Sequence, residues 1–204
     1  TFQEIPINFK LIKEKSSFLS HNYIMYLAGS FGGQLDKIIV LPLLGSAVLG
    51  NYTLALQVVT VFTMFTTILF KFLLPQESSG IQNRFLIQIV IIISIIVSVL
   101  GIFLSPLVIP NFFPKYVDVG VAIQIMSLSI IPITISTICT SRLLSKEKSK
   151  LVLIGNILSV IVTVLGILTL GSMYGTMGIA MSFVLATILE AVYLGLAVKK
   201  IKGV

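Results

Sequence analysis

The sequence predicts an all-α fold, an integral membrane bundle of six transmembrane helices. Composition is the first ground: 56% of residues are apolar, 10% are charged, and the mean hydropathy is +1.10. A soluble domain carries about 25% charged residues, so this chain lacks the charge to clothe a water-facing surface. The second ground is length. Apolar runs recur from end to end, and FLIQIVIIISIIVSVLGIFLSP (Phe85–Pro106) holds no ionisable residue. About 20 residues, at 1.5 Å each, cross a hydrocarbon core of roughly 30 Å. The third ground is the placement of Lys and Arg, which alternates from one connector to the next.

Breakers and charges divide the chain into a segment 1–17, a bundle 18–198 and a tail 199–204. Helix 1 is predicted over Phe18–Leu44. Asn22, Tyr26, Gly29, Gly33 and Asp36 fall on one face of it. Gly29 and Gly33 make a Gly-x-x-x-Gly step that suits close helix packing. A carboxylate within a span costs about 2.5–3.5 kcal/mol and Asp36 has a short stem, so it is expected to face a polar interior. Two roles stay open for it, a functional cavity residue or a structural hydrogen-bonding or ion-pair partner. Its neighbour Lys37 points about 100° away. Lying roughly 10 Å from the outer helix end by the helical rise, Lys37 is expected to anchor at that interface.

Helix 2, over Asn51–Leu74, carries Thr53, Gln57, Thr60, Thr67 and Lys71 on a single face. Packing and cavity lining both fit that stripe, whereas lipid contact does not. Lys71, at the inner end, is expected to snorkel to the interface. Helix 3, over Arg84–Pro106, has a seam of Ser94, Ser98, Gly101 and Ser105 suited to close packing. In helix 4, Val119–Leu144, Pro132 removes a backbone donor and predicts a kink. Helix 5, Leu151–Leu170, offers Asn156, Ser159, Thr163 and Gly166 along one face. Helix 6, Gly175–Val198, offers Ser182, Ala186, Glu190 and Tyr193, with Glu190 about 12 Å from the inner end. Asp36, Gln57, Thr60, Asn156 and Glu190 are thus the candidates for a substrate or ion pathway.

The basic residues orient this bundle. Lys10, Lys13, Lys15, Lys71, Arg84, Arg142, Lys146, Lys148, Lys150, Lys199, Lys200 and Lys202 would share one side, twelve of the fourteen. The opposite connectors hold only Lys115. By the positive-inside rule both termini are cytoplasmic, and the net charge of +7 reads as a topological signal with no nucleic-acid partner. A second bundle of six joined in tandem would insert the same way, giving a transporter of twelve or more helices. The chain starts at Thr1 with no cleavable signal pattern, and a fragment or processed chain is expected.

Other chemistries find little support. Cys139 and His21 are each single, so neither an intrachain disulfide nor a two-His metal site is available. No serine/histidine or paired-aspartate arrangement lies within a span, so an enzyme is the least expected reading, and no cofactor is implied.

The order of motifs carries a resemblance. LDKIIVLPLLGSAVLGNYTLALQV, with Asp36, Gly50 and Tyr52, resembles the opening of a repeat in polysaccharide (O-antigen type) flippases. FFPKYVDVGVAIQIMSLS resembles that family's outer loop and fourth helix of the half. The run from Arg142 to Leu194, with Tyr174, Gly175, Gly178, Ile179 and Ala180, resembles its last two helices. The family lies in the superfamily of multidrug, oligosaccharidyl-lipid and polysaccharide exporters. The resemblance covers about Asn22 to Lys200 and implies the second six-helix half of a flippase whose N-terminal half is its partner.

It further implies a multi-pass protein of the cell membrane that carries lipid-linked oligosaccharide to the outer leaflet for surface polysaccharide or glycan biosynthesis. Asp36 or Glu190 would be the place for coupling to a proton or sodium gradient. An ion-coupled multidrug exporter of the same superfamily stays open. So does a non-transporting scaffold subunit of a glycan-assembly complex.

Overall fold

A computed structural model describes residues 16–79, 84–112 and 117–202. The Lys10, Lys13, Lys15 and Lys115 signals, and most of segment 1–17, lie outside the described residues. Every described element is helical. They are α1 (Ser16–Ser78), α2 (Arg84–Phe112), α3 (Val117–Ser127), α4 (Ile130–Ser145), α5 (Ser149–Gly166), a π-turn (Ile167–Gly171) and α6 (Ser172–Lys202). Three stretches, Gln34–Ser78, Arg84–Ile109 and Ser149–Lys200, are long and apolar enough to cross a membrane. The pair α3–α4, bent by 42°, makes a fourth if counted as one span.

Two of these stretches are folded on themselves. Gly45 interrupts α1 at φ 86°, ψ 172°, an extended left-handed region that only glycine enters cheaply. Tyr52 Oη reaches Asp36 Oδ2 at 2.6 Å across that break. In a straight helix sixteen residues would hold the two about 24 Å apart, so the chain doubles back at Gly45. Gly175, at φ 57°, ψ −130°, does the same in α6. A Cβ built on Gly166 would lie 2.5 Å from Ser182 Cβ, again sixteen residues away. Both hairpins have one register, pairing the residue nine before the glycine with the residue seven after it. The predicted connectors LGSAVLGN and GSMYGT are therefore tight reversals within nominally continuous helices. Six helical limbs result among the described residues: 16–44, 46–78, 84–112, the bent 117–145, 149–174 and 176–202.

The bend between α3 and α4 lies just upstream of Pro132, at Leu128 and Ser129. Proline has no N–H for the carbonyl four residues back, and here it occupies the first turn of α4, where none is needed. Leu128 and Ser129 instead donate their N–H groups to Ile125 and Met126 at 3.1 and 2.9 Å, tightening the last turn of α3. Ser98 of α2 donates its hydroxyl to the Ser127 carbonyl at the break, at 2.8 Å. The α2 seam thus does more than pack. Ser105 also donates to Gly120 O at 3.2 Å, and Gln124 of α3 returns a bond to Ile102 O at 3.1 Å. At Gly101, a Cβ would collide with the Ser127 side chain.

The turn after α4 closes with paired bonds, Lys148 N–H to Leu143 O at 2.8 Å and Glu147 N–H to Leu144 O at 2.9 Å. Glu147 takes the left-handed cap position at φ 57°.

All six limbs meet in one core, through Val40, Tyr52, Val59, Ile109, Met126, Ile167 and Ile179. A smaller cluster, Leu69, Leu73, Ile87, Val90 and Ile138, joins α1, α2 and α4. Large apolar side chains also cover the outside, among them Phe85, Phe103, Leu107 and Leu196. Such a surface is matched to lipid and would be an aggregation hazard in water. Other buried hydroxyls bond within their own helix: Thr134 donates to Ile130 O at 2.8 Å and Ser182 to Gly178 O at 2.7 Å. That local bonding lets polar groups sit in a dry bundle without partners on other helices.

Candidate functional site

The hairpin of α1 and the hairpin formed by α5 and α6 face each other across a cavity of about 560 Å³. Helical spacing determines what lines it. The second limb of α1 contributes Thr53, Leu56, Gln57 and Thr60, at offsets of three, four and seven. The α5 helix answers with Asn156, Ser159, Val160, Thr163 and Val164, at offsets of three, four, seven and eight. Asp36 and Lys37 enter from the first limb of α1, Phe183 and Glu190 from α6.

All five pathway candidates, Asp36, Gln57, Thr60, Asn156 and Glu190, therefore line one cavity. Gln57 and Thr60 are exposed on a bundle whose outer face is otherwise largely apolar, because the cavity opens to the bundle surface. The wall is not uniformly acceptor or donor. Thr60 and Thr163 commit their hydroxyl protons to Leu56 O at 2.8 Å and Ser159 O at 2.9 Å, which leaves lone pairs facing the cavity. Gln57 and Asn156 carry both donors and acceptors. Such a lining suits hydroxyl-rich ligands, which need both.

Asp36 is 6% exposed and doubly bonded. Tyr52 donates to Oδ2 at 2.6 Å, and the Lys37 backbone N–H donates to Oδ1 at 2.8 Å. Asp36 thus lines the cavity and is at the same time a structural hydrogen-bond acceptor. The Lys37 ammonium turns elsewhere, to Gln34 Oε1 at 3.5 Å, and its half-buried stem contributes to the cavity wall. Glu190 is half-buried, with the Ser159 side chain beside its carboxyl. Lys71 is exposed near the far end of the second limb of α1. Gly29 and Gly33 lie in the helical backbone of the first limb.

Sequence reasoning missed Tyr52 as the partner of Asp36. The signal was present in the spacing. Asp36 lies nine residues before the Gly45 reversal and Tyr52 seven after it, so both sit at nearly equal depth, about 13 and about 10 Å from the turn. The helix 2 stripe, read as one face, also proves to be divided. Thr53, Gln57 and Thr60 line this cavity, while Thr67 lines a second one of about 300 Å³ with Thr66, Phe70, Ile133, Ser136, Thr137, Thr140 and Glu190.

No protein-family model, curated protein or solved structure matches this chain.

Proposed function

We propose that the chain is the six-span, C-terminal half of a cell-membrane flippase that moves lipid-linked oligosaccharide to the outer leaflet for surface polysaccharide or glycan biosynthesis. The observation that carries this reading is the open polar cavity of about 560 Å³ let into an apolar bundle. Its size lies within the range of small-ligand sites. A sugar–pyrophosphate head group needs a wet, hydrogen-bonding recess beside lipid, so that its polyprenyl tail never leaves the hydrocarbon. Gln57, Asn156 and the Thr/Ser oxygens suit sugar hydroxyls. The open side, where Gln57 and Thr60 are exposed, would face the N-terminal half, and rocking of the two halves would alternate the access.

In this reading each limb is one span. The limbs of 29 and 33 residues either side of Gly45 exceed the length that a bilayer requires. The gathering of basic residues at one end supports, by the positive-inside rule, cytoplasmic termini in this reading. The pyrophosphate would be met by Lys37 together with cations of the N-terminal half, and the chain acts as a transporter with no enzymatic step.

The decisive experiment measures surface glycan in a strain whose export depends on this gene. Gln57→Leu, Asn156→Leu and their combination should lower export at normal membrane abundance. Unchanged glycan in the double variant would defeat the proposal. Drug resistance with normal glycan would point to a multidrug exporter. Normal export together with co-purifying glycosyltransferases would point to a scaffold subunit.

A further inference from the structure

Glu190 lines both cavities, so the smaller recess between the second limb of α1 and α4 shares a wall with the large one. The two differ in depth along the hairpin. Lys37 lies eight residues before the Gly45 reversal and Thr66 twenty-one after it, which sets Thr66 about 20 Å deeper by the helical rise. The cavities thus form one polar track, with the Lys37 ammonium toward the reversal and the smaller recess far from it.

The smaller recess is furnished for a neutral, hydroxyl-bearing ligand. Among the described residues no Lys, Arg or His lines it, and Glu190 brings a carboxylate, so a phosphate would be repelled there. Donors and acceptors are both on offer. Thr66 and Thr137 commit their hydroxyl protons to Thr63 O at 2.6 Å and Ile133 O at 2.9 Å, and so present lone pairs. Thr140, one turn beyond Ser136, keeps its proton uncommitted among the described residues. Ser136 is 8% exposed, lines the recess, and its Oγ has no hydrogen-bond partner. Buried hydroxyls are ordinarily bonded, and a ligand hydroxyl would complete this one. Phe70 adds a flat apolar wall. Its ring face is electron-rich and suits the weakly positive C–H face of a pyranose. At about 300 Å³ the recess lies at the lower end of small-ligand sites, with room for one such ring.

We propose that the smaller recess is a subsite for a later sugar of the carried glycan, an uncharged pyranose bound by Ser136, Thr140 and Glu190 against Phe70. The subsite rests on the flippase reading above, and it adds an orientation and a minimum length to the substrate. The pyrophosphate end stays at Lys37 in the large cavity. From there the glycan runs away from the reversal and past Glu190, which accepts from sugar hydroxyls at the shared wall. A head group of one sugar is too short to cover that distance, so only a longer glycan fills the recess.

The test is photocross-linking of the full-length gene product in cells, with p-azidophenylalanine replacing Leu56 in the large cavity or Thr67 in the smaller recess. One strain makes the complete lipid-linked oligosaccharide, and a second stops at the first sugar. Leu56→p-azidophenylalanine should capture glycan in both strains, and Thr67→p-azidophenylalanine only in the first. Adding Ser136→Ala should lower capture at Thr67 by about twofold to tenfold, the worth of one hydrogen bond, and leave capture at Leu56 unchanged. Ser136→Ala removes an unpaired hydroxyl, so its thermal unfolding in detergent should match the wild type, which separates a lost contact from a lost fold. Three results at Thr67 overturn the subsite while capture at Leu56 upholds the flippase reading: phospholipid adducts alone, equal capture of the one-sugar form, or no effect of Ser136→Ala. Absence of glycan at both positions overturns the two together.

Discussion

Tyr52 and Asp36 are joined by a 2.6 Å hydrogen bond that closes the first helical hairpin across Gly45. Both side chains are buried, and the phenol is the donor that makes the carboxylate tolerable within an apolar core. Removing it leaves a buried acceptor short of a partner, which costs about 1–3 kcal/mol. Tyr52→Phe should lower the unfolding temperature of the purified chain in detergent. In a double-mutant cycle with Asp36→Asn, the two losses should fall short of additive by about 1 kcal/mol or more. Strict additivity would mean that the bond does not hold the hairpin.

The reversals at Gly45 and Gly175 depend on backbone angles and not on space. A side chain at either position meets nothing within 4 Å. Alanine at each should therefore cost about 1–3 kcal/mol for the positive-φ conformation alone. Serine, no more free in φ than alanine, should cost about as much. Thermal unfolding of the four single variants checks this, and wild-type stability in Gly45→Ala would exclude the positive φ.

Gly166 and Ser182 make the second hairpin close-packed, and here space is the issue. A Cβ on Gly166 would meet Ser182 Cβ and Oγ at 2.5 Å. Gly166→Val should destabilise by about 1–3 kcal/mol through overpacking. Ser182→Gly should restore part of that loss when added to it. Limited proteolysis would follow the opening of the hairpin, and a lack of rescue would show that the two limbs do not touch.

At the other end of the bundle, Arg142 Nε meets Glu77 Oε1 at 3.1 Å, the two side chains being 21% and 7% exposed. This pair ties the end of α1 to the end of α4. Truncating either partner strands a buried charge, worth about 2–4 kcal/mol, with the upper end of the buried-pair range discounted because Arg142 keeps contact with water. Replacing both with leucine should cost less than either single change. Added salt should alter these values little, since a buried pair is weakly screened. Urea or thermal unfolding at two ionic strengths reads out both effects.

The sequence by itself determined the solvent, the helical class and the faces of the helices. Composition and run length are one-dimensional properties, and 3.6-residue periodicity places Thr53, Gln57 and Thr60 on one side whatever surrounds them. It also placed Pro132 beside a bend. Only the tertiary structure decided which faces meet. The spacing of Asp36 and Tyr52 became a signal only once the reversal at Gly45 was known, and nothing local told that Ser98 would seal the break at Ser127 or that the stripe of α1 would be shared between two recesses. Those outcomes depend on how sharply Gly45 and Gly175 reverse the chain, and on the register in which the limbs then pack. A change of one residue in that register turns a helical side chain by about 100°. Periodicity therefore assigns each residue to a face, and the hairpin geometry chooses its partner.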